Sequence, residues 1–160
     1  MIRPQRRTNK IFNITKKRKK KSNYSTGTYI PKNPEKYIGK KLPEWRSSWE
    51  NTVMRKFDNH PDIKFWGSEV YDISYQDPVT LKWRTYIPDF FVVYVDRNGV
   101  EHKDIIEVKP RCQTYENLAK SKRDKEAYAL NQAKWEAAKK YCSMNGIGFR
   151  ILTEEEIYRL

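Results

Sequence analysis

A chain of 160 residues has room for one domain with a real core and not for two of ordinary size. With 33% charged and 14% aromatic residues and a formal net charge of +13, the composition suits a soluble protein with a polyanionic partner. No run of about 18 apolar residues is present to span a bilayer. The charge is concentrated at one end: residues 1–40 hold 13 Lys and Arg against a single acid, Glu35, whereas the remaining 120 residues hold 20 bases and 19 acids. We therefore expect a basic, largely disordered arm over 1–40 and one nearly neutral domain over 41–160. Within the arm lies Lys16, Lys17, Arg18, Lys19, Lys20 and Lys21. Six adjacent cations favour a nucleic-acid backbone through counterion release, over a solubilising tail or a targeting patch. The apolar cluster before them, IFNI, is too short for a secretion signal. Cys112, Cys142, His60 and His102 form neither a disulfide framework nor a zinc pattern.

Taken in chain order, Leu42, Trp45, Trp49, Val53 and Phe57 recur at helical spacing and predict one helix, ended by His60-Pro61. Residues 63–75 are rich in aromatic and β-branched types and predict a first strand, closed by the Asp77-Pro78 turn. A second strand is expected over RTYIPDFFVVYV, and the DRNG reversal at 96–99 returns the chain into a third that ends at Lys109. A long helix follows, with Leu130, Ala133, Ala137, Tyr141 and Met144 on its apolar face and Gly146 closing it. GFRIL reads as the last strand, and Thr153 caps a terminal turn. Helix, three-strand meander, helix and strand make an α/β fold with a mixed sheet.

The chemistry gathers at the ends of two of these strands. Asp89 is expected inside a strand with apolar neighbours, and Glu107 and Lys109 share one face of the next, because alternate strand residues point the same way. A buried carboxylate without partners costs several kcal/mol or takes up a proton, so such acids need donors or a cation. Through the DRNG hairpin the two carboxylates would converge into a site for a hard cation such as Mg²⁺, with the Val108 carbonyl as a further oxygen ligand. Taken singly, each feature has a plain explanation: Glu and Lys two apart on a strand are usually a solvated pair, and Pro-Asp is a turn dipeptide. Their order along the chain is the more specific signal.

That order, Pro88-Asp89 followed by Glu107-Val108-Lys109, resembles the PD-(D/E)xK nuclease superfamily. The wider stretches RSSWE, SYQDPVTLKWRTYIPDFFV, IIEVKP and AKWEAAKKYCSMNGIGFRILTEEE are similar to the head-completion nucleases of tailed bacteriophages and to the TnsA-like transposon end-cleaving endonucleases. The resemblance implies a restriction-endonuclease-like core and hydrolysis of DNA phosphodiesters, as an endonuclease with exonuclease action as an extension. It also implies dependence on Mg²⁺, with Mn²⁺ as the substitute metal. Asp89, Glu107, Lys109 and Glu50 would be catalytic, and Asp89, Glu107, the Val108 carbonyl and Glu50 are the implied metal ligands. For the phage proteins it further implies work on double-stranded DNA in completing the filled head before tail joining, portal or neck proteins as partners, and a place in the infected host's cytoplasm or in the virion. Glu50 has a second reading, as the far end of a capping box begun by Ser47. Lys134 falls on the apolar helix face, where it either snorkels to solvent or reaches a phosphate. Arg84 and Arg111 are candidate backbone contacts whose default role is a solvated surface. The rival function is a non-enzymatic DNA-binding or neck-assembly protein on the same scaffold.

Overall fold

The computed structural model describes residues 25–160, so the expectations for Lys16 to Lys21 lie outside the described residues. Its centre is a four-stranded mixed sheet in the order β3 (Ile63–Ser68), β6 (Phe90–Val95), β7 (Glu101–Val108) and β8 (Gly148–Leu152). The first three pair antiparallel, and β8 lies parallel to β7. A parallel neighbour requires a crossover, and α2 (Lys122–Asn145) supplies it. The helix α1 (Ser48–Asn59) covers the opposite face. Both faces of the sheet are therefore buried, which is why β6 reads as an unbroken apolar run rather than an alternating one.

Two core clusters divide along the sheet. Val53, Met54 and Phe57 of α1 pack on Phe90, Val92, Ile106 and Val108. On the other face, Phe91, Val93 and Ile105 pack with Trp135, Ala138 and Cys142 of α2. The hairpin between β6 and β7 follows the DRNG signal: Gly99 takes φ 78°, and the Asp96 N–H donates to the Val100 carbonyl at 2.9 Å.

Several expectations are corrected. The three-strand meander is present as β3, β6 and β7, but a separate antiparallel ribbon, β4 (Ile73–Gln76) with β5 (Trp83–Tyr86), is inserted between the first and second strands. Ile73, Tyr75 and Tyr86 of this ribbon pack on the α2 face, so its pattern is that of a half-buried strand pair and does not betray a separate sheet. Asp89 is not inside a strand. The chain leaves β5 at Tyr86, runs through Ile87 and Pro88, and bends at Asp89 before β6 begins. Proline lacks the N–H a ladder needs, which accounts for the break. The first helix starts at Ser48, not near Leu42: Trp45 belongs to the short strand β2 (Glu44–Trp45), and Leu42 is exposed. On α2 the buried line runs through Trp135, Ala138 and Cys142, and Met144 is exposed.

The expected domain boundary at residue 40 falls inside folded structure. Strand β1 (Gly27–Thr28) pairs with β2, and Tyr29 and Tyr37 pack around the fully buried Trp66. What fastens this segment is Asp58, at the end of α1 and itself fully buried. Its Oδ2 accepts the Tyr29 hydroxyl and the Lys32 N–H, both at 2.7 Å, and its Oδ1 accepts the Asn33 N–H at 3.2 Å. The Asn33 side-chain amide donates to the Asp58 carbonyl at 2.8 Å. Burial, with the Asp58 hydrogen bond, pushes the Tyr29 phenol up to about 12, so it remains a donor.

Asp58→Ala leaves a buried tyrosine hydroxyl and two backbone amides without an acceptor, and each orphaned buried group costs about 1–3 kcal/mol. Urea denaturation should show a loss of at least about 2 kcal/mol, with 29–36 becoming protease-sensitive. Wild-type stability in this variant would refute the fastening role.

Candidate active site

The register of the central hairpin builds the site. Phe90 pairs with Ile106, so one step further along the same pairing Asp89 stands opposite Glu107. Asp89 Oδ2 accepts the Val108 backbone N–H at 2.7 Å, and the Asp89 carbonyl accepts the Glu69 N–H at 3.0 Å. Glu107 is buried with both oxygens engaged: Oε2 accepts the Tyr86 hydroxyl at 2.7 Å, and Oε1 meets Lys109 Nζ at 3.1 Å.

Two carboxylates in this position repel. Burial first, and then the neighbouring Glu107 carboxylate, push Asp89 up to about 8, against the pull of the Val108 amide and Lys109. Burial alone would lower the Lys109 ammonium. The carboxylates of Glu107, Asp89 and Glu50 together outweigh it, so Lys109 titrates above its ordinary range and stays charged. Burial followed by Glu107 raises the Tyr86 phenol, which keeps its proton as donor.

The donor set is all oxygen. Within a strand the N–H and C=O of one residue point to the same edge, and successive residues alternate. The Val108 N–H faces Asp89, whereas the Lys109 N–H donates the other way, to the Leu152 carbonyl in β8 at 3.0 Å. The Val108 carbonyl therefore lies on the Asp89 edge, where β6 has already ended. Among the described residues no three His, Cys, Asp or Glu side chains gather into a cage of their own. A carboxylate pair and one carbonyl suit a hard cation that retains several waters, and do not suit zinc.

The remaining candidates take three different positions. Glu50 lines a cleft with Lys109, Val108 and Pro110, close enough for its charge to act on Asp89 and Lys109. The capping box is only half made. Ser47 Oγ accepts the Glu50 N–H at 3.1 Å, but the Glu50 carboxylate takes the N–H of Arg46 at 2.7 Å instead of that of Ser47. Lys134 neither snorkels freely nor touches the carboxylates: its Nζ stands 5.9 Å from the Tyr75 ring centroid and 5.8 Å from that of Tyr86. Burial and then Lys109 lower its pKa. Arg84 and Arg111 lie in ion pairs, Arg84 with Asp77 at 2.9 Å and Arg111 with Glu155.

Two participants escaped sequence reasoning. Tyr86, which holds Glu107, sits three residues before Asp89 in a stretch that reads as ordinary strand. Arg46 pairs with Glu69 at 2.7 Å and adds a cation within electrostatic reach of Glu50 and Asp89. Its position two residues before the helix gave no signal.

The paired acids and Glu-x-Lys stand at the end of a central β-hairpin with one helix on each face of the sheet, the arrangement that the nuclease resemblance leads one to expect. The TnsA-like endonuclease N-terminal family model matches residues 60–154, from just before β3 to the start of α3 (Glu154–Ile157), and the chain belongs to this family. It is also 35% identical over 147 residues to the head completion nuclease of Enterobacteria phage T4, an alignment covering 84% of this chain and 95% of that protein. The restriction-endonuclease-like fold and the phage head-completion relationship inferred from the sequence both hold.

The raised Asp89 pKa fixes a pH dependence. An unfolded aspartate titrates near 4 (~3.9), so the folded state holds this proton more tightly, and stability present below that value is lost as pH rises through about 8. In chelator, the wild-type Tm should fall as pH is raised across this interval. Asp89→Asn should flatten the fall and melt higher than wild type at its alkaline end. An unchanged slope in the variant would show that Asp89 carries no such strain.

Proposed function

We propose that the protein is a Mg²⁺-dependent deoxyribonuclease that cleaves double-stranded DNA during completion of a phage head, before the tail is joined. The reading rests on one observation above the others: Asp89 and Glu107 are held side by side with Lys109 in contact, and burial with the Glu107 carboxylate pushes Asp89 up to about 8, so its carboxylate form calls for a compensating positive charge. The name of the phage T4 relative supports the head-completion setting. Among the described residues no helix is long and apolar enough to cross a membrane.

Asp89, Glu107 and the Val108 carbonyl would hold Mg²⁺, with Mn²⁺ as substitute and Glu50 at the rim of the site. The bound ion would draw charge from the scissile phosphate and make water a better nucleophile. Tyr86 fixes the Glu107 carboxylate by donating to Oε2, and the Val108 amide fixes Asp89, so neither acid has to reorganise when substrate arrives. Lys109, tethered through Glu107 Oε1, keeps an ammonium at the mouth of the cleft, where it orients the attacking water or stabilises charge on the phosphate as it develops. The basic run at 16–21 would add affinity through phosphate contacts without reading bases.

Purified full-length protein with supercoiled plasmid and Mg²⁺ tests the reading directly. Wild type should cut, and Asp89→Asn and Glu107→Gln should each abolish cutting while remaining folded. Mg²⁺ should raise the melting temperature of wild type and not of Asp89→Asn, because only the former has a site in the folded state. Normal cutting by either variant would remove that residue from the essential set. A wild-type protein that binds DNA and never cuts it would favour the assembly role.

Lys109→Ala should slow single-turnover cleavage by about 10²–10³ while changing DNA affinity in Ca²⁺ far less, since a group that acts only at the transition state adds little to ground-state binding. A rate restored by saturating DNA would make Lys109 an anchor. Deleting residues 1–22 should weaken DNA binding and flatten its dependence on salt, with the metal requirement unchanged.

A further inference from the structure

The tip of the β4–β5 ribbon places large apolar side chains where folding gains nothing from them. Val79, Leu81 and Trp83 are 58%, 67% and 72% exposed. Leu81 also adopts φ 58°, a left-handed backbone that costs an L-residue roughly 1–2 kcal/mol and that turns ordinarily assign to Gly or Asn. A strained leucine with its side chain in water is unfavourable on both counts, and strain of this kind gathers at functional sites.

The tip is nevertheless rigid. Asp77 is almost wholly buried, and its Oδ1 accepts the N–H groups of Val79 and Thr80 at 2.9 and 3.2 Å. Its carbonyl accepts the Leu81 N–H at 2.8 Å, and its N–H donates to the Lys82 carbonyl at 2.9 Å. Arg84 closes the loop through Asp77 Oδ2. The apolar group is thus presented in a fixed shape rather than left on a floppy loop.

Its surroundings say what it faces. Pro78 and Val79 share a groove with Lys122, Lys125, Glu126 and Ala129 at the start of α2. Among the described residues, Lys82, Lys120, Lys122, Arg123 and Lys125 are exposed and form no ion pair. The ribbon is anchored at its other end in the active site, since Tyr86, three residues along β5 from Trp83, donates to Glu107. From Leu81 to Tyr86, five extended residues span at most roughly 17 Å, and the Tyr86 side chain leads on to Glu107, still under one turn of a DNA duplex. A protein partner would favour a flat apolar patch with few unpaired cations at its core. An apolar tip among unpaired lysines, short of the catalytic carboxylates by a fraction of a helical turn, fits duplex DNA.

We propose that the β4–β5 tip is a wedge that enters the minor groove of the duplex flanking the scissile phosphate, with Leu81 and Trp83 against the base steps and Lys122 and Lys125 on the adjoining phosphates. The inference rests on the nuclease reading above. Its test is binding of a duplex in Ca²⁺, which requires no cutting and so stands or falls separately from catalysis.

Trp83 gives the direct readout, because Trp66 and Trp135 are buried and Trp45 and Trp49 partly so. The component of emission that Trp83→Phe removes should become shielded from iodide when duplex saturates the wild-type protein. Leu81→Gly should leave the melting temperature unchanged or raise it, since strain is relieved, yet weaken duplex affinity about tenfold. Trp83→Ala should weaken it at least as much. Lys122→Gln with Lys125→Gln should lower the slope of log affinity on log salt by about 2. Wild-type duplex affinity in both tip variants, with Trp83 still open to iodide in the complex, would overturn the proposal while leaving plasmid cutting intact. Lower stability of Leu81→Gly with unchanged affinity would likewise overturn it, by making the tip structural.

Discussion

Two acids that repel each other are held at the end of an apolar sheet, and much of the molecule serves to keep them there. The antiparallel pairing of Phe90 with Ile106 dictates that Asp89 meets Glu107. The sheet can impose that pairing because it is buried on both faces, so slipping the register by one residue would turn Ile105 and Ile106 to the wrong core clusters. Three donors then absorb part of the charge: the Val108 amide, the Tyr86 hydroxyl and the Lys109 ammonium. They do not absorb all of it: burial and then the Glu107 carboxylate push the Asp89 carboxyl up to about 8. Hydrophobic burial elsewhere compensates the deficit, and the proposed cation would relieve it directly.

The part of this arrangement that could be read from the sequence is the part governed by local rules. A tight DRNG reversal fixes the register of the strands on either side of it, and from that register the meeting of Asp89 and Glu107 follows with no knowledge of the remaining fold. The capping of α1 at Ser47 and the left-handed Gly146 closing α2 are local in the same sense. What was hidden depends on partners distant in sequence. Leu42 and Trp45 continue the helical spacing of α1 by coincidence, and only the pairing of β1 with β2 shows that the chain there is extended. The ribbon at 73–86 shares its alternation with any half-buried strand, so its separation from the main sheet is invisible until α2 is seen to cover it. Asp58 gives no hint of its role, because its three donors lie 25 to 29 residues upstream.

The segment from 25 to 59 lies before the stretch that matches the family model, yet one of the two core clusters is built on it. Phe57 stacks edge-on against Phe90, one residue from Asp89, and Trp66 of β3 is enclosed by Tyr29, Tyr37 and Phe57. Helix α1 thus does two things at once: it supports the strand end that carries the site, and it brings Glu50 to the rim of the same cleft.

That cleft has one further wall, Ser25, which stands in it with Glu50 and Lys109 at the edge of the described structure. The first described residue therefore stands beside the candidate site and not at a remote corner. Between Ser25 and the basic run at 16–21 there are only four to nine peptide steps. At roughly 3.5 Å per residue that length of chain can reach at most about 32 Å, close to one turn of duplex. Under the proposed function, a strand held by those cations would be kept at high effective concentration next to Lys109, and release from the site and release from the protein would become separate events.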